Sequence, residues 1–171
     1  MFELATDTVI VCGTMTGDYN TFSTDTFALK MNYLGEIQAM KFYRTAVDNP
    51  TEVNCNKGLS GFFLFLKSST NLIVTQMDSN LDVTYSSSTP VASTFLMAHT
   101  SSTDKHAVYF SETNGDVYML CMNGIADTAP SSLKFKNNGY PFTHSSNVLE
   151  TGGYHVGFMS DGNRGKSDIY Y

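Results

Sequence analysis

Three observations predict an all-β fold for this chain. The first is a short phrase that recurs at near-constant spacing: Asp25-Thr-Phe-Ala-Leu-Lys-Met-Asn, Asn71-Leu-Ile-Val-Thr-Gln-Met-Asp and Asp116-Val-Tyr-Met-Leu-Cys-Met-Asn. A fourth copy begins as Asp168-Ile-Tyr-Tyr, and the openings lie 46, 45 and 52 residues apart. The second is an apolar run before each copy, at a repeated offset. The third is that no segment sustains a 3.6-residue apolar period over a helical length. A period of about 40–50 residues carrying several short strands is the mark of a β-propeller blade. The expected architecture is a propeller of about three and a half to four blades, each of four antiparallel strands.

Taken in order, the runs Thr8-Val-Ile-Val-Cys-Gly, Gly61-Phe-Phe-Leu-Phe-Leu, His106-Ala-Val-Tyr-Phe and Tyr154-His-Val-Gly-Phe-Met predict the first, inner strand of each unit. They are apolar at both parities, as a strand covered on both faces must be. The Asp/Asn-to-Met phrase is the second strand. Turns rich in Ser, Asn and Gly join the two, and Asn114-Gly115 is the strongest hairpin signal among them. Residues 36–43, 81–86 and 131–135 predict a third strand, with Ile37, Ala39 and Lys41 on one side of the first of these. The more polar stretches 46–56, 89–98 and 140–149 are read as an outer fourth strand or a link between blades. The repeat units then span approximately 8–56, 57–99, 100–150 and 151–171 of a single domain.

Period-2 placement puts Phe27, Leu29, Met31, Ile73, Met77, Tyr118, Leu120 and Met122 on one face, buried between neighbouring blades. The fourth unit stops at Tyr171, and seven residues precede the first inner strand. The expectation is therefore a part of a larger propeller, or a blade completed by strands of another copy. Repeated head to tail, such strand addition would build an extracellular filament.

Composition excludes several classes. With 171 residues, 12 Phe, 10 Tyr and 42% hydrophobic residues, the chain can bury a core and is not disordered. Ten Lys and Arg against 16 Asp and Glu leave a net charge of −6 with no basic run, which disfavours nucleic acid and anionic membranes as partners. No apolar run approaches the ~18 residues of a membrane-spanning helix. Sparse charge on a Ser/Thr-rich background predicts an extracellular or cell-surface location. Cys12, Cys55 and Cys121 show no paired spacing and are read as three small buried hydrophobes, the alternative being one disulfide and a lone thiol.

Phe110-Ser-Glu-Thr-Asn-Gly-Asp-Val-Tyr-Met-Leu and Phe158-Met-Ser-Asp-Gly-Asn-Arg-Gly-Lys-Ser-Asp-Ile-Tyr-Tyr resemble the WD40-like repeat of TolB-type propellers. There an apolar strand ends in Phe-x-Ser, a Gly-containing turn follows, and Asp-Ile-Tyr opens the next strand. The first unit, from Val11 to Ile37, is similar to bacterial and protist surface β-propeller repeats. The second unit departs from both, with Asn71 in place of Asp and no Gly in its turn. The resemblance implies a fold and no particular activity, because propellers host many functions.

Catalytic chemistry is not expected. Gly58-Leu-Ser-Gly-Phe lacks the closing Gly of a nucleophile elbow, and no metalloprotease, phosphate-loop or dinucleotide motif occurs. His99, His106, His144 and His155 lack metal-ligand spacing and are read as structural. Asp161, Asn163 and Asp168 around a Gly are the candidate ligands for Ca²⁺, though the same residues form ordinary turns. The repeated Asp25, Asn71, Asp116 and Asp168 are expected to accept backbone N–H bonds from the preceding turns. The leading expectation is a non-enzymatic module that binds protein or glycan, including copies of itself, with Tyr19, Phe22 and Tyr140 as surface contacts. A glycan-active propeller enzyme is the competing expectation; it needs two carboxylates at hydrolase spacing.

Overall fold

The computed structural model describes residues 1–16, 24–43, 50–101, 103–112, 116–127, 130–135, 142–148, 154–161 and 167–170. For Thr16, Thr24, Leu96, Phe135 and the strands beyond residue 141 it describes the backbone alone. All regular structure among these residues is β-strand, in antiparallel sheets whose spatial order follows chain order. The first sheet is β1 (Phe2–Ala5), β2 (Thr8–Thr16), β3 (Thr24–Met31) and β4 (Ile37–Tyr43). The second is β5 (Glu52–Lys57), β6 (Phe62–Lys67), β7 (Asn71–Met77) and β8 (Val83–Pro90). The third is β9 (Thr94–Thr100), β10 (His106–Ser111), β11 (Val117–Met122) and β12 (Ser131–Phe135). The fourth has β13 (Phe142–Val148), β14 (Tyr154–Asp161) and β15 (Ser167–Tyr170). Each is an open meander, and no sheet closes on itself among the described residues. The chain divides into two compact units, Met1–Ala92 and Ser93–Tyr171.

The repeated apolar run and the repeated phrase form the two central strands of every four-stranded sheet. All six residues of β6 are buried, as are residues 106–110 of β10. The burial of the second strand repeats as well. Leu72–Met77 and Val117–Met122 share one order: buried, half-buried, buried, buried, half-buried, buried.

Three sequence expectations change here. The stretches read as outer fourth strands hold β5, β9 and β13, which pair with the apolar run that follows and so open the next sheet. The supposed inner strand is therefore the second of its sheet, and Phe2–Ala5 supplies the first strand of the first sheet. A strand covered on both faces needs ladder partners along both edges, and the returning chain provides one. Second, of the eight residues expected between blades, Met77, Leu120 and Met122 are buried and the other five are half-buried. The opposite parity is the deeper one, with Thr26, Ala28, Leu72, Val74, Val117 and Met119 all buried. Third, Ile37 does not share a face with Ala39 and Lys41. A bulge at Gln38 lets Met31 oppose Ile37 while Lys30 opposes Ala39, so Ile37 turns to the side of Met40 and Phe42.

One five-residue turn recurs at residues 32–36, 78–82 and 101–105. In each, the first N–H donates to the fifth carbonyl and the fourth N–H donates to the first carbonyl. The first side chain (Asn32 Oδ1, Asp78 Oδ1, Ser101 Oγ) accepts the N–H of the third and fifth residues at 2.8–3.2 Å. Its fourth residue is left-handed: Gly35 at φ 83°, Leu81 at 65° and Asp104 at 57°. The two backbone bonds to Asp78 also hold its carboxyl below the usual carboxylate range. These acceptors close the repeated phrase in two cases, at Asn32 and Asp78. Of the opening residues, Asp25 is buried and Asp116 lies 3.2 Å from Lys134 Nζ.

Leu81 breaks the preference for Gly or Asn at that position for a tertiary reason. Its side chain is fully buried in the core of the first unit, and its carbonyl accepts a 2.8 Å bond from Tyr43 Oη. Replacing Leu81 with Gly should relieve about 1 kcal/mol of left-handed strain and forfeit about 3 kcal/mol of burial and packing. A net loss of about 2 kcal/mol in urea unfolding is expected; a neutral or stabilised variant would contradict it.

In the first unit, the side of the first sheet bearing Ile10 and Ala28 packs on the side of the second bearing Phe62, Leu64, Leu66 and Met77. Phe2 and Phe62 meet with ring centroids 5.6 Å apart. Lys41 reaches Asp82 at 2.6 Å, but both are largely exposed, so the pair adds little stability. Cys12 of β2 and Cys55 of β5 form a disulfide across the two sheets, with Cα atoms 6.3 Å apart. The reading of three isolated small hydrophobes is corrected accordingly. Spacing could not pair them, because they lie 43 positions apart in sequence and only sheet packing joins them. Cys121 takes no part and is half-buried in β11.

In the second unit, Ala107, Tyr109 and Met119 are buried with Met97 and Cys121 packed against them. On the opposite face of the third sheet Phe110 stacks on Tyr118, centroids 5.2 Å apart, and meets Phe95 edge-on at 6.0 Å.

Candidate binding surface

The pairing registers superpose the sheets residue by residue. Val9 opposes Met31 as Phe62 opposes Met77 and His106 opposes Met122. Each sheet therefore has a forward face, carrying Ile10 and Ala28 in the first, Phe63 and Val74 in the second, Ala107 and Met119 in the third. The other side is its rear face. In the first unit the contact is made by a forward face on a rear face.

On their central strands the rear faces of the second and third sheets are largely closed, while their fourth-strand residues Val83, Ser86, Ser88, Ser132 and Lys134 are exposed. Phe62, Leu64 and Met77 are fully buried, as are His106, Val108 and Phe110, with Met122 at 1% exposure. The rear face of the first sheet is the exception. Its side chains form three rows across β2, β3 and β4: Val9–Met31–Ile37, Val11–Leu29–Met40 and Gly13–Phe27–Phe42. Ile37, Met40 and Phe42 are 64%, 41% and 49% exposed, and the β2 and β3 members of the rows are half-buried. Large apolar side chains ranged over one sheet face in this way make it the candidate surface for an interaction.

Local sequence builds the surface. Val9 and Val11 of β2 and Phe27, Leu29 and Met31 of β3 fall at alternate positions on this side, and the bulge at Gln38 swings Ile37 into line. Gly13 leaves room for its cross-strand partner: a Cβ there would lie 2.8 Å from the Phe27 ring. Phe27 thus packs its ring against Gly13 and, opposite Phe42, continues the patch onto β4. The corresponding fourth-strand positions elsewhere are polar except for Val83 of β8, which opposes Met77 and is 51% exposed. Ser86 and Ser88 of β8 oppose Thr75 and Ile73, while Ser132 and Lys134 of β12 oppose Leu120 and Tyr118. Comparing the third strands of the units would have revealed this contrast in the sequence. Strict alternation from Ile37 sets Met40 and Phe42 on the opposite side, and only the bulge at Gln38 brings the three together.

The singled-out residues fare as follows. Tyr19, Phe22, Tyr140 and Asn163 lie outside the described residues. Asp161 ends β14 and Asp168 lies in β15; the pairs Ser160–Asp168 and Asp161–Ser167 bring the two backbones together at one hairpin, with the side chains outside the description. Among the described residues, no group of three His, Cys, Asp or Glu is placed to hold a metal. His106 is fully buried at the start of β10, with Nδ1 3.1 Å from Thr100 Oγ1. Burial pushes its pKa down to about 4, against a small opposing pull from Asp104. Among the described residues, no helix is long and apolar enough to cross a membrane.

No protein-family model matches this chain, and no curated protein or solved structure matches it either.

Proposed function

We propose that this chain is a non-enzymatic module of β-propeller type that works by binding and assembly at an extracellular or cell-surface location. The reading is carried by one observation, the open rear face of the first sheet, which is apolar out to its fourth strand and half-buried on central strands whose equivalents in the second and third sheets are largely buried. Three further features support it. Consecutive four-stranded meanders share register, two of them share the turn between the third and fourth strands, and two share the burial order of the second central strand. A forward face packs on a rear face, as stacked blades do. The Cys12–Cys55 disulfide supports an oxidising compartment.

Of the two ligand classes expected from sequence, protein or glycan, the rows of Ile, Leu, Met and Phe favour protein. Sugar recognition needs polar groups to match hydroxyls, and the three rows carry none. A photo-reactive side chain placed at Ile37 in the full-length protein tests the reading in its producing cells. It should cross-link to protein on illumination, and the same group at Leu133, 53% exposed on the third sheet, should not. Equal labelling at both positions, or none at 37, would overturn it.

A further inference from the structure

We infer that the open rear face of the first sheet pairs with the same face of a second copy of this chain, forming a two-fold dimer. This rests on the reading of that face as an interaction surface and names its occupant. The inference starts from what could cover the face. Within the first unit a rear face is covered by a forward face. The central strands of the described forward faces are already occupied: Ile10 and Ala28 lie under the second sheet, and Phe63, Val74, Ala107 and Met119 are all buried, which leaves only single large side chains, Tyr85 and Leu133, exposed on fourth strands. Of the sheet faces whose side chains are described, a second copy has one large apolar surface left to offer, the same three rows.

The composition of β4 points the same way. Contact between the first and second sheets leaves Ser86 and Ser88 of β8 exposed, so stacking inside the chain does not require apolar residues on a fourth strand. Met40 and Phe42 extend the apolar surface out to the edge strand, beyond what that internal contact uses. Self-pairing also brings no charge into the centre. The rows are uncharged, and Glu3 and Asp25 sit at their margins on β1 and β3. For a chain of net charge −6, an uncharged patch is where two copies approach at least electrostatic cost. A two-fold axis through the Val11–Leu29–Met40 row would set the Phe27–Phe42 end of one copy on the Val9–Ile37 end of the other. Large rings would then oppose smaller side chains, as in the interior of a two-sheet sandwich.

Three strands ~4.8 Å apart and five residues of ~3.3 Å rise outline a patch of roughly 14 by 17 Å. That is small against the ~800 Å² per partner of a tight complex, so the dimer is expected to be concentration-dependent. Sedimentation equilibrium of the purified full chain over a concentration series should show mass rising from 18.8 kDa to twice that value and stopping there. Phe42→Lys and Met40→Lys, both at exposed positions, should each weaken association at least tenfold while leaving the far-ultraviolet circular dichroism unchanged. Leu133→Lys should leave association as it is. A strict monomer at every concentration would overturn the dimer, and so would mass growing past two copies, since a two-fold contact closes. The photo-cross-link at residue 37 separates the two readings. A product of 18.8 kDa plus a different protein, lost on Phe42→Lys, keeps the binding surface and refutes the dimer. Absence of any product refutes both.

Discussion

Removing the Cys12–Cys55 disulfide is expected to lower the stability of the first unit by about 4 kcal/mol, the chain-entropy value for a closed loop of about 43 residues. The bond ties β2 of one sheet to β5 of the next, so in the unfolded chain it forbids the separation that opening the two sheets would otherwise allow. Such a loss is a large part of the ~5–15 kcal/mol that holds a domain folded. Cys55 is buried beside Leu64 and Phe62, so Cys12→Ala with Cys55→Ala is preferred to serine, which would bury a hydroxyl. Urea unfolding of the double variant, and of wild type with excess reductant, should show matching falls in midpoint. Hydrogen exchange should locate the loss in β2, β3, β6 and β7. A reduced protein, verified by thiol counting, that unfolds at the same urea concentration would contradict the assignment.

Acid should destabilise the second unit through His106. Burial holds its pKa near 4, against ~6.5 for an exposed imidazole, so the folded protein resists a proton that the unfolded chain accepts. Stability from this group is fully present above pH ~6.5. It falls by about 1.4 kcal/mol per unit as pH drops through the window down to about 4, a total of about 3 kcal/mol. Asp104 moderates the effect slightly, and Thr100 Oγ1 hydrogen-bonds the ring in its neutral state. The equivalent residue of the second sheet is Phe62, so His106→Phe keeps an aromatic ring in a position the repeat already accepts there. The difference in unfolding free energy between wild type and His106→Phe should shrink with falling pH in the wild type's disfavour. A difference that stays flat from pH 7 to pH 4 would show that His106 is not buried in its neutral form.

The two central strands of each four-stranded sheet were legible because their information is local. Phe62 to Leu66 is apolar at every position, which only a strand covered on both faces requires, and the structure buries all five. The recurring turns were legible in part. Asn32, Asp78 and Ser101 are ordinary turn formers, yet their shared geometry depends on which residue takes the left-handed position, and Leu81 holds it only because the core rewards its side chain. Edge strands were assigned to the wrong sheet for a related reason. Residues 52–57 and 94–100 are mixed in polarity and carry no signal for which neighbour they will pair with. That choice is made by the unsatisfied backbone edges of β6 and β10.

From the sequence alone, then, came the all-β class, the period and the identity of the paired core strands, since alternation and turn chemistry act within a few residues of one another. Tertiary structure alone decided the rest. The disulfide joins residues that only sheet-on-sheet packing brings within reach. A single extra residue at Gln38 moves Ile37 to the other face and completes an apolar surface with Met40 and Phe42. Whether that surface is covered depends on which sheets have neighbours, a property of the assembled fold that no local pattern encodes.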